Sequence, residues 1–288
     1  PKWYCGDLPG GIPRQCQNLP IPGGLDMAEQ KSYDTNLAMG LGLIEETKAL
    51  LNLWEPTMDS AALYQEALAS GVLSSVSAYR LRNIVVRCFG NRYLTHGNQT
   101  AATLKKLLPS LAPTEMAQLF FIYTCRANRI FYDFVRNVYW PAYISADKFL
   151  SKKSAEDFIR RAIDDNKTPS RWAEGQIVRV GRYLTGCCSD FGLLGSPTKN
   201  GRPFIPFRIE QKTIAYLAHE LHLSGVGDNA LLNHEDWQLF GLAREDVLEE
   251  TKRLSLKGLL IVQAAGDVIR ISWKQQDMEA LCDVLTQS

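Results

Sequence analysis

Leu81, Ile84, Val85, Cys88 and Phe89 fall at i, i+3, i+4, i+7 and i+8, the spacing that gathers apolar side chains along one side of an α-helix. The same texture begins at Gly40 and governs most of the chain. Leu43, Leu50, Leu51 and Trp54 recur at helical intervals, and Pro56 stops that run. Asp59 is placed to cap a helix reaching Ser70, with Gly71 just past its end, and Ser77 to cap the helix of the apolar stripe over residues 77–93. Further helices are expected at 99–108, 114–126, 128–139, 154–164 and 171–190. The fold class is therefore mainly α, a helical bundle with helix-turn-helix elements.

Three stretches depart from this pattern. Residues 1–26 hold five Pro and five Gly without any period and read as an irregular arm. Between 192 and 210, Lys199-Asn200-Gly201 is a turn signal, and Pro197, Pro203 and Pro206 leave room for a short edge hairpin or an extended loop. From 211 onward, helices are expected at 211–223, 230–240 and 243–257. Two extended runs follow, 259–262 and 268–273, around a turn at Ala265-Gly266-Asp267, and a short helix at 276–286 ends the chain. Two helices followed by a two-stranded ribbon form the order of a winged helix. The expected organisation is an arm over 1–26, a helical domain over 27–210 and a winged-helix-like unit with a small β-hairpin over 211–288.

The longest apolar runs, 119–123 and 258–262, are far shorter than a bilayer crossing requires. No charged segment followed by an apolar core opens the chain, so a cytoplasmic location without membrane contact is expected. The seven cysteines, Cys5, Cys16, Cys88, Cys125, Cys187, Cys188 and Cys282, are odd in number and lack CxxC spacing. That pattern argues against a disulfide framework and against a zinc ribbon. Cys187-Cys188 reads as core packing at a helix end rather than as a redox pair.

Net charge is +1 over the whole chain, yet it is strongly segregated. Residues 71–212 hold 22 Lys and Arg against 10 Asp and Glu, a balance of +12, whereas 27–70 and 213–288 together stand at −11. A positive middle surface suits a polyanion. The competing possibility is that the acidic flanks fold back and neutralise the middle.

Within 77–93, Arg80, Asn83, Arg87 and Asn91 fall at i, i+3, i+7 and i+11 on a face away from the apolar stripe. Arg and Asn have the donor and acceptor geometry for guanine and adenine edges in the major groove. Carried on the second helix of a helix-turn-helix, they form a candidate recognition surface for double-stranded DNA, with Arg82 and Arg92 as phosphate contacts. A second basic set consists of Arg171, Arg179 and Arg182 on the expected 171–190 helix, with Lys199, Arg202 and Arg208 in the loop beyond it. The alternative for both sets is a solvated helix face, which is also how the Lys152-Lys153 and Arg160-Arg161 pairs read. On the C-terminal unit, Glu245, Asp246, Glu249 and Glu250 oppose a phosphate backbone, so that unit reads as a protein-contact module.

Catalytic motifs are not apparent. His219-Glu220-Leu221-His222 spaces its imidazoles three apart, where a zinc-binding H-E-x-x-H needs four. Glu250-Thr251-Lys252 lies in a helical pattern without an upstream strand Asp. Gly40-Leu41-Gly42 and Gly225-Val226-Gly227 lack the rest of a phosphate loop. A binding protein without cofactor is expected rather than an enzyme.

Gly40-Leu41-Gly42-Leu43-Ile44-Glu45-Glu46-Thr47, Leu50-Leu51-Asn52-Leu53-Trp54 and the Arg-bearing helix at 79–93 resemble the BrxA family of BREX phage-defence systems. The resemblance continues through Arg126-Ala127-Asn128-Arg129-Ile130-Phe131-Tyr132-Asp133-Phe134-Val135 and the helix at 172–194, and covers about residues 35–195. It implies a helix-turn-helix-bearing bundle similar to the NusB antitermination factor. It also implies duplex-DNA binding without catalysis, alongside other BREX proteins. A winged-helix transcriptional regulator, an RNA-binding bundle similar to NusB and a cryptic nuclease are the alternatives.

Overall fold

The capping residues set the first elements. In the computed structural model, which describes residues 32–34, 42–95, 97–145, 147–265 and 268–287, α1 (Ile44–Leu53) ends at Trp54. The Trp54 indole is fully buried and donates to the Met58 carbonyl at 3.0 Å. The Asp59 side chain accepts from the amides of Ala61 and Ala62 and opens α2 (Ser60–Ser70), which Gly71 ends in a left-handed conformation, φ +65°. Ser77 Oγ accepts from the Arg80 amide and opens α3 (Ala78–Arg82).

The helix of the apolar stripe is not uniformly α. A π-helical segment, Asn83–Phe89, separates α3 from α4 (Gly90–Tyr93), and the Gly90 amide bonds the Val85 carbonyl five residues back. All five stripe residues are nonetheless buried. The expected 128–139 helix is likewise interrupted. It runs as α7 (Arg129–Phe134), a π segment (Val135–Tyr139) and α8 (Trp140–Ile144).

Between these two interrupted helices lie α5 (Gln99–Leu107) and α6 (Pro113–Ala127). From Gln118 to Cys125 every residue of α6 is buried. A helix covered on all sides is a central one, and its aromatic side chains organise the core. Phe121 meets the rings of Phe131, Phe191, Phe207 and Phe240 at 5.3–6.3 Å.

Beyond α8, β1 (Phe149–Leu150) pairs antiparallel with β2 (Arg202–Pro203). α9 (Lys152–Asp164) and α10 (Glu174–Asp190) lie between these strands. The Lys199-Asn200-Gly201 turn forms a short hairpin, with Thr198 bridged to Gly201 and Leu194 to Phe204. Gly201 takes φ +128°, and a Cβ there would lie 2.3 Å from the Leu150 carbonyl oxygen, so the strand pairing requires glycine.

The C-terminal part consists of α11 (Gln211–Leu223), α12 (Asp228–Leu232), a 3-10 helix (Glu235–Phe240), α13 (Arg244–Leu256), β3 (Leu260–Ala265), β4 (Val268–Trp273) and α14 (Met278–Gln287). The helix expected over 230–240 is thus a short α-helix and a 3-10 turn. β3 and β4 pair antiparallel from Leu260 opposite Trp273 to Ala265 opposite Val268. Mainly α with a small hairpin is the architecture observed. The apolar core runs without a break across residue 210, from Phe121 to Ile214, Leu217, Trp237 and Phe240. The arm expected over 1–26 lies outside the described residues. Among the described residues no helix is long and apolar enough to cross a membrane.

Gly241, at φ +69°, ends the 3-10 helix where a Cβ would lie 2.6 Å from Cε3 of Trp140, whose indole donates to the Leu239 carbonyl. Gly71 shares the left-handed conformation but has open space around it. Gly71→Ala should therefore cost about 1–2 kcal/mol, the strain of a left-handed alanine. Gly241→Ala should cost about 1–3 kcal/mol more, from overpacking. Equal losses in denaturant titrations would show that the Trp140 ring yields freely.

Candidate nucleic-acid interface

The π segment sets which polar side chains beyond Asn83 reach solvent, while Arg80 and Asn83 are placed by α3 itself. Each turn closed by an i→i+5 bond takes up one residue more than an α turn, so positions after it rotate out of the α-helical register. The Arg80, Asn83, Arg87, Asn91 stripe expected for an unbroken α-helix is not what emerges. Asn83 is 8% exposed and Arg80 is half-buried. Arg92, expected on phosphate, is 4% exposed and donates from Nη1 to the Gly42 carbonyl at 3.2 Å. Asn83 and Arg92 are therefore interior side chains and leave the candidate interface. Arg82, Arg87 and Asn91 are exposed.

The second set is presented from other elements. Arg179 and Arg182 are exposed on α10. Gly181 between them packs on α9, where an added Cβ would meet Ala155 Cβ at 3.5 Å. Arg171 is exposed but lies ahead of α10, which begins at Glu174 rather than at 171. Lys199 is exposed at the hairpin turn, whereas Arg202 is half-buried and donates to the Gly195 carbonyl at 3.0 Å. Because Arg202 pairs opposite Leu150, the hairpin lies against the start of α9 and its exposed Lys152 and Lys153. Sequence alone gave those lysines no role. Their signal is a pairing across more than fifty residues.

The acidic flanks do consume part of the positive middle. Lys106 pairs with Asp283 at 2.6 Å, Arg136 with Glu235 at 2.8 Å, Arg129 with Glu235 at 3.8 Å and Arg208 with Glu250 at 3.8 Å. The deepest of these contacts centres on Arg126 at the end of α6. Its Nε and Nη2 donate to Asp236 Oδ2 at 3.0 and 2.7 Å, and Nη1 donates to Glu220 Oε1 at 2.9 Å. Tyr123 OH donates to the same Glu220 oxygen at 2.6 Å, and Tyr132 OH to Asp236 Oδ1 at 3.1 Å. Burial raises the pKa of the Asp236 carboxyl, but Arg126 and His234 outweigh it and the net direction is downward. Neither Arg126 nor Asp236 is available to a ligand. By contrast Arg82, Arg87, Arg171, Arg179, Arg182 and Lys199 have no carboxylate partner among the described residues.

Groups with catalytic potential are occupied structurally. His219 is buried, with Nδ1 against the Ala215 carbonyl at 2.7 Å and Nε2 against Gln275 Oε1 at 3.0 Å, and burial lowers its pKa. His222 stacks on Trp273 with centroids 4.3 Å apart. Glu250, on α13, pairs with Arg208 and Arg253. Cys88, Cys125, Cys187, Cys188 and Cys282 are buried, and burial pushes the Cys282 thiol up to about 11. Among the described residues no His, Cys, Asp and Glu cluster is arranged to hold a metal.

A depressed folded-state pKa at Asp236 contributes stability that is full above the ordinary carboxylate range and is lost as pH falls through the folded value. Arg126→Met removes the main cause of that depression and leaves burial to dominate. The variant should lose about 3–5 kcal/mol at neutral pH, and its deficit against wild type should shrink as Asp236 takes up a proton in acid. Melting temperatures of both proteins from pH ~7 down to ~4 measure this. A deficit that does not vary with pH would contradict it.

No curated protein and no solved structure matches the chain. A family model described as BrxA matches residues 31–220, which takes in the exposed arginines of both sets, the π segment between α3 and α4 and all of α6. The match covers well over half of the sequence, and the chain belongs to the BrxA family.

Proposed function

We propose that this chain is a non-enzymatic, double-stranded-DNA-binding component of a BREX phage-defence system. Membership of the BrxA family implies the BREX-associated role. Uncompensated charge is the observation that supports DNA. Folding pairs Lys106, Arg126, Arg129, Arg136 and Arg208 with the acidic C-terminal part, yet leaves Arg82, Arg87, Arg171, Arg179, Arg182 and Lys199 exposed without a carboxylate. Cations kept in water without a carboxylate suit a phosphate backbone. Arg82, Arg87 and Asn91 lie on the continuous helix that follows α2, formed by α3, the π segment and α4, in the position of the element that enters the major groove in helix-turn-helix proteins.

A winged-helix regulator is the second reading, because α11, α12, α13 and the β3–β4 hairpin follow that order. Its recognition helix would be α13, which exposes Glu245, Asp246 and Glu249. Those carboxylates repel phosphate, so the C-terminal part is assigned to a protein partner within the same system.

Binding of a labelled duplex should weaken with salt, with a slope of about −0.9 in log K against log[salt] for each phosphate neutralised. Arg82→Glu with Arg87→Glu should lower affinity tens-fold or more, since one base-contacting Arg is worth ~1–3 kcal/mol. Lys252→Glu with Arg253→Glu on α13 should leave it near wild type. The assignment fails if the α13 variant abolishes binding while the Arg82/Arg87 variant binds normally. Magnesium-dependent cleavage of the duplex by the full chain, abolished by a carboxylate substitution, would overturn the non-enzymatic part.

A further inference from the structure

The re-registered helix aligns four exposed residues that no α-helical pattern would group. Arg82 is three positions beyond Tyr79 on α3, Arg87 five positions beyond Arg82 across the π segment, and Asn91 four positions beyond Arg87. In an α-helix, positions three or four apart are neighbours on one face, and in a π turn positions five apart are. Tyr79, Arg82, Arg87 and Asn91 therefore form one continuous solvent-facing line, opposite the buried Leu81, Ile84, Val85, Cys88 and Phe89.

Tyr79 is the unexpected member. Three-quarters of its surface is in water, and among the described residues it is the one aromatic side chain left largely exposed. An isolated exposed apolar residue needs no explanation, but this ring heads a line of two arginines and an asparagine. It sits in the first turn of the helix, the end that a recognition helix directs at base edges. A phenol ring in a basic line offers a base something an arginine row does not, a flat face for stacking. Within an intact duplex the base faces are already stacked, so such a ring gains contact where a base is unpaired.

We infer that Tyr79 is a stacking platform, and that the Tyr79–Arg82–Arg87–Asn91 line recognises DNA carrying unpaired bases beside the duplex held by its arginines. This rests on the DNA-binding reading above and adds to it a substrate class. The arginines hold the flanking phosphates while the ring takes the face of the exposed base.

The test uses the full chain with two probes, a short duplex and the same duplex with a central run of mismatches, which carries a fluorescent base analogue. Wild type should bind the mismatched probe more tightly and quench its fluorescence. Tyr79→Ala should weaken binding to that probe by roughly 5- to 150-fold and abolish the quenching, with a much smaller loss on the intact duplex. Tyr79→Phe should retain both. The ring is exposed, so all three proteins should melt alike. Equal wild-type affinity for both probes, or a Tyr79→Ala variant that still prefers and quenches the mismatched probe, overturns the inference and leaves duplex binding standing. If wild type binds neither probe, the DNA-binding reading falls and this one with it.

Discussion

One buried cation fixes how the C-terminal third meets the helical bundle. α6 is covered on every side over its apolar length and carries in its last turn Arg126, whose side chain is 18% exposed. A guanidinium at that depth is tolerated when its donors are answered. The answering carboxylates come from two separate elements, Glu220 on α11 and Asp236 on the 3-10 helix, 94 and 110 residues further along the chain. Arg129 and Arg136 extend the junction by lying over the Tyr132 ring and reaching Glu235. Apolar packing alone would tolerate α11 and the 3-10 helix at several angles. A buried ion pair with hydroxyl donors from Tyr123 and Tyr132 has far fewer satisfied geometries. What it supplies is orientation more than net stability.

Local chemistry was legible in the sequence and long-range pairing was not. Asp59, Ser77 and Gly71 act where their cap chemistry places them, and the Lys199-Asn200-Gly201 turn forms. Apolar residues at i, i+3, i+4, i+7 and i+8 correctly located the buried side of residues 77–93. The same pattern does not reveal a π turn, because one extra residue in a turn keeps a broad apolar stripe inward while rotating the polar side. The error therefore fell wholly on the polar residues. Arg92, beyond the π turn, moved into the interior, Asn83 is buried where that turn begins, and the outward line passed to Tyr79, Arg82, Arg87 and Asn91. Part of the +12 balance of residues 71–212 was misleading for a different reason. Composition counts Arg126 and Arg136 as surface charge, and only the fold shows them paired with Glu220, Asp236 and Glu235.

The two kinds of arginine in this chain have different physical duties. Arg92 and Arg126 are buried or nearly so and answer carbonyl or carboxylate groups, so removing either leaves polar atoms unpaired inside the protein. Arg82, Arg87, Arg179 and Arg182 extend into solvent and leave nothing unsatisfied when removed. The BrxA match spans both kinds. Family membership alone therefore cannot separate an arginine that holds the fold from one that meets a ligand, whereas burial and pairing do.

Charge distribution also limits how a polyanion can approach. α13 presents Glu245, Asp246 and Glu249 to solvent, and α14 carries Glu279 and Asp283 opposite Lys106. Those surfaces repel or at best ignore phosphate. The lines on the α3–α4 helix and on α10 attract it. α10 meets the segment before α1 at its last residue, where Asp190 Oδ2 accepts from the Gly42 amide at 2.9 Å. Arg182 is eight residues upstream, roughly 12 Å along the axis. On the DNA-binding proposal the two lines are contacts for one polyanion, and α13 and α14 are surfaces that it avoids. The Arg126 junction is continuous with the packing beneath the α3–α4 line, because Tyr123, which donates to Glu220, also meets the ring of Tyr93 on α4.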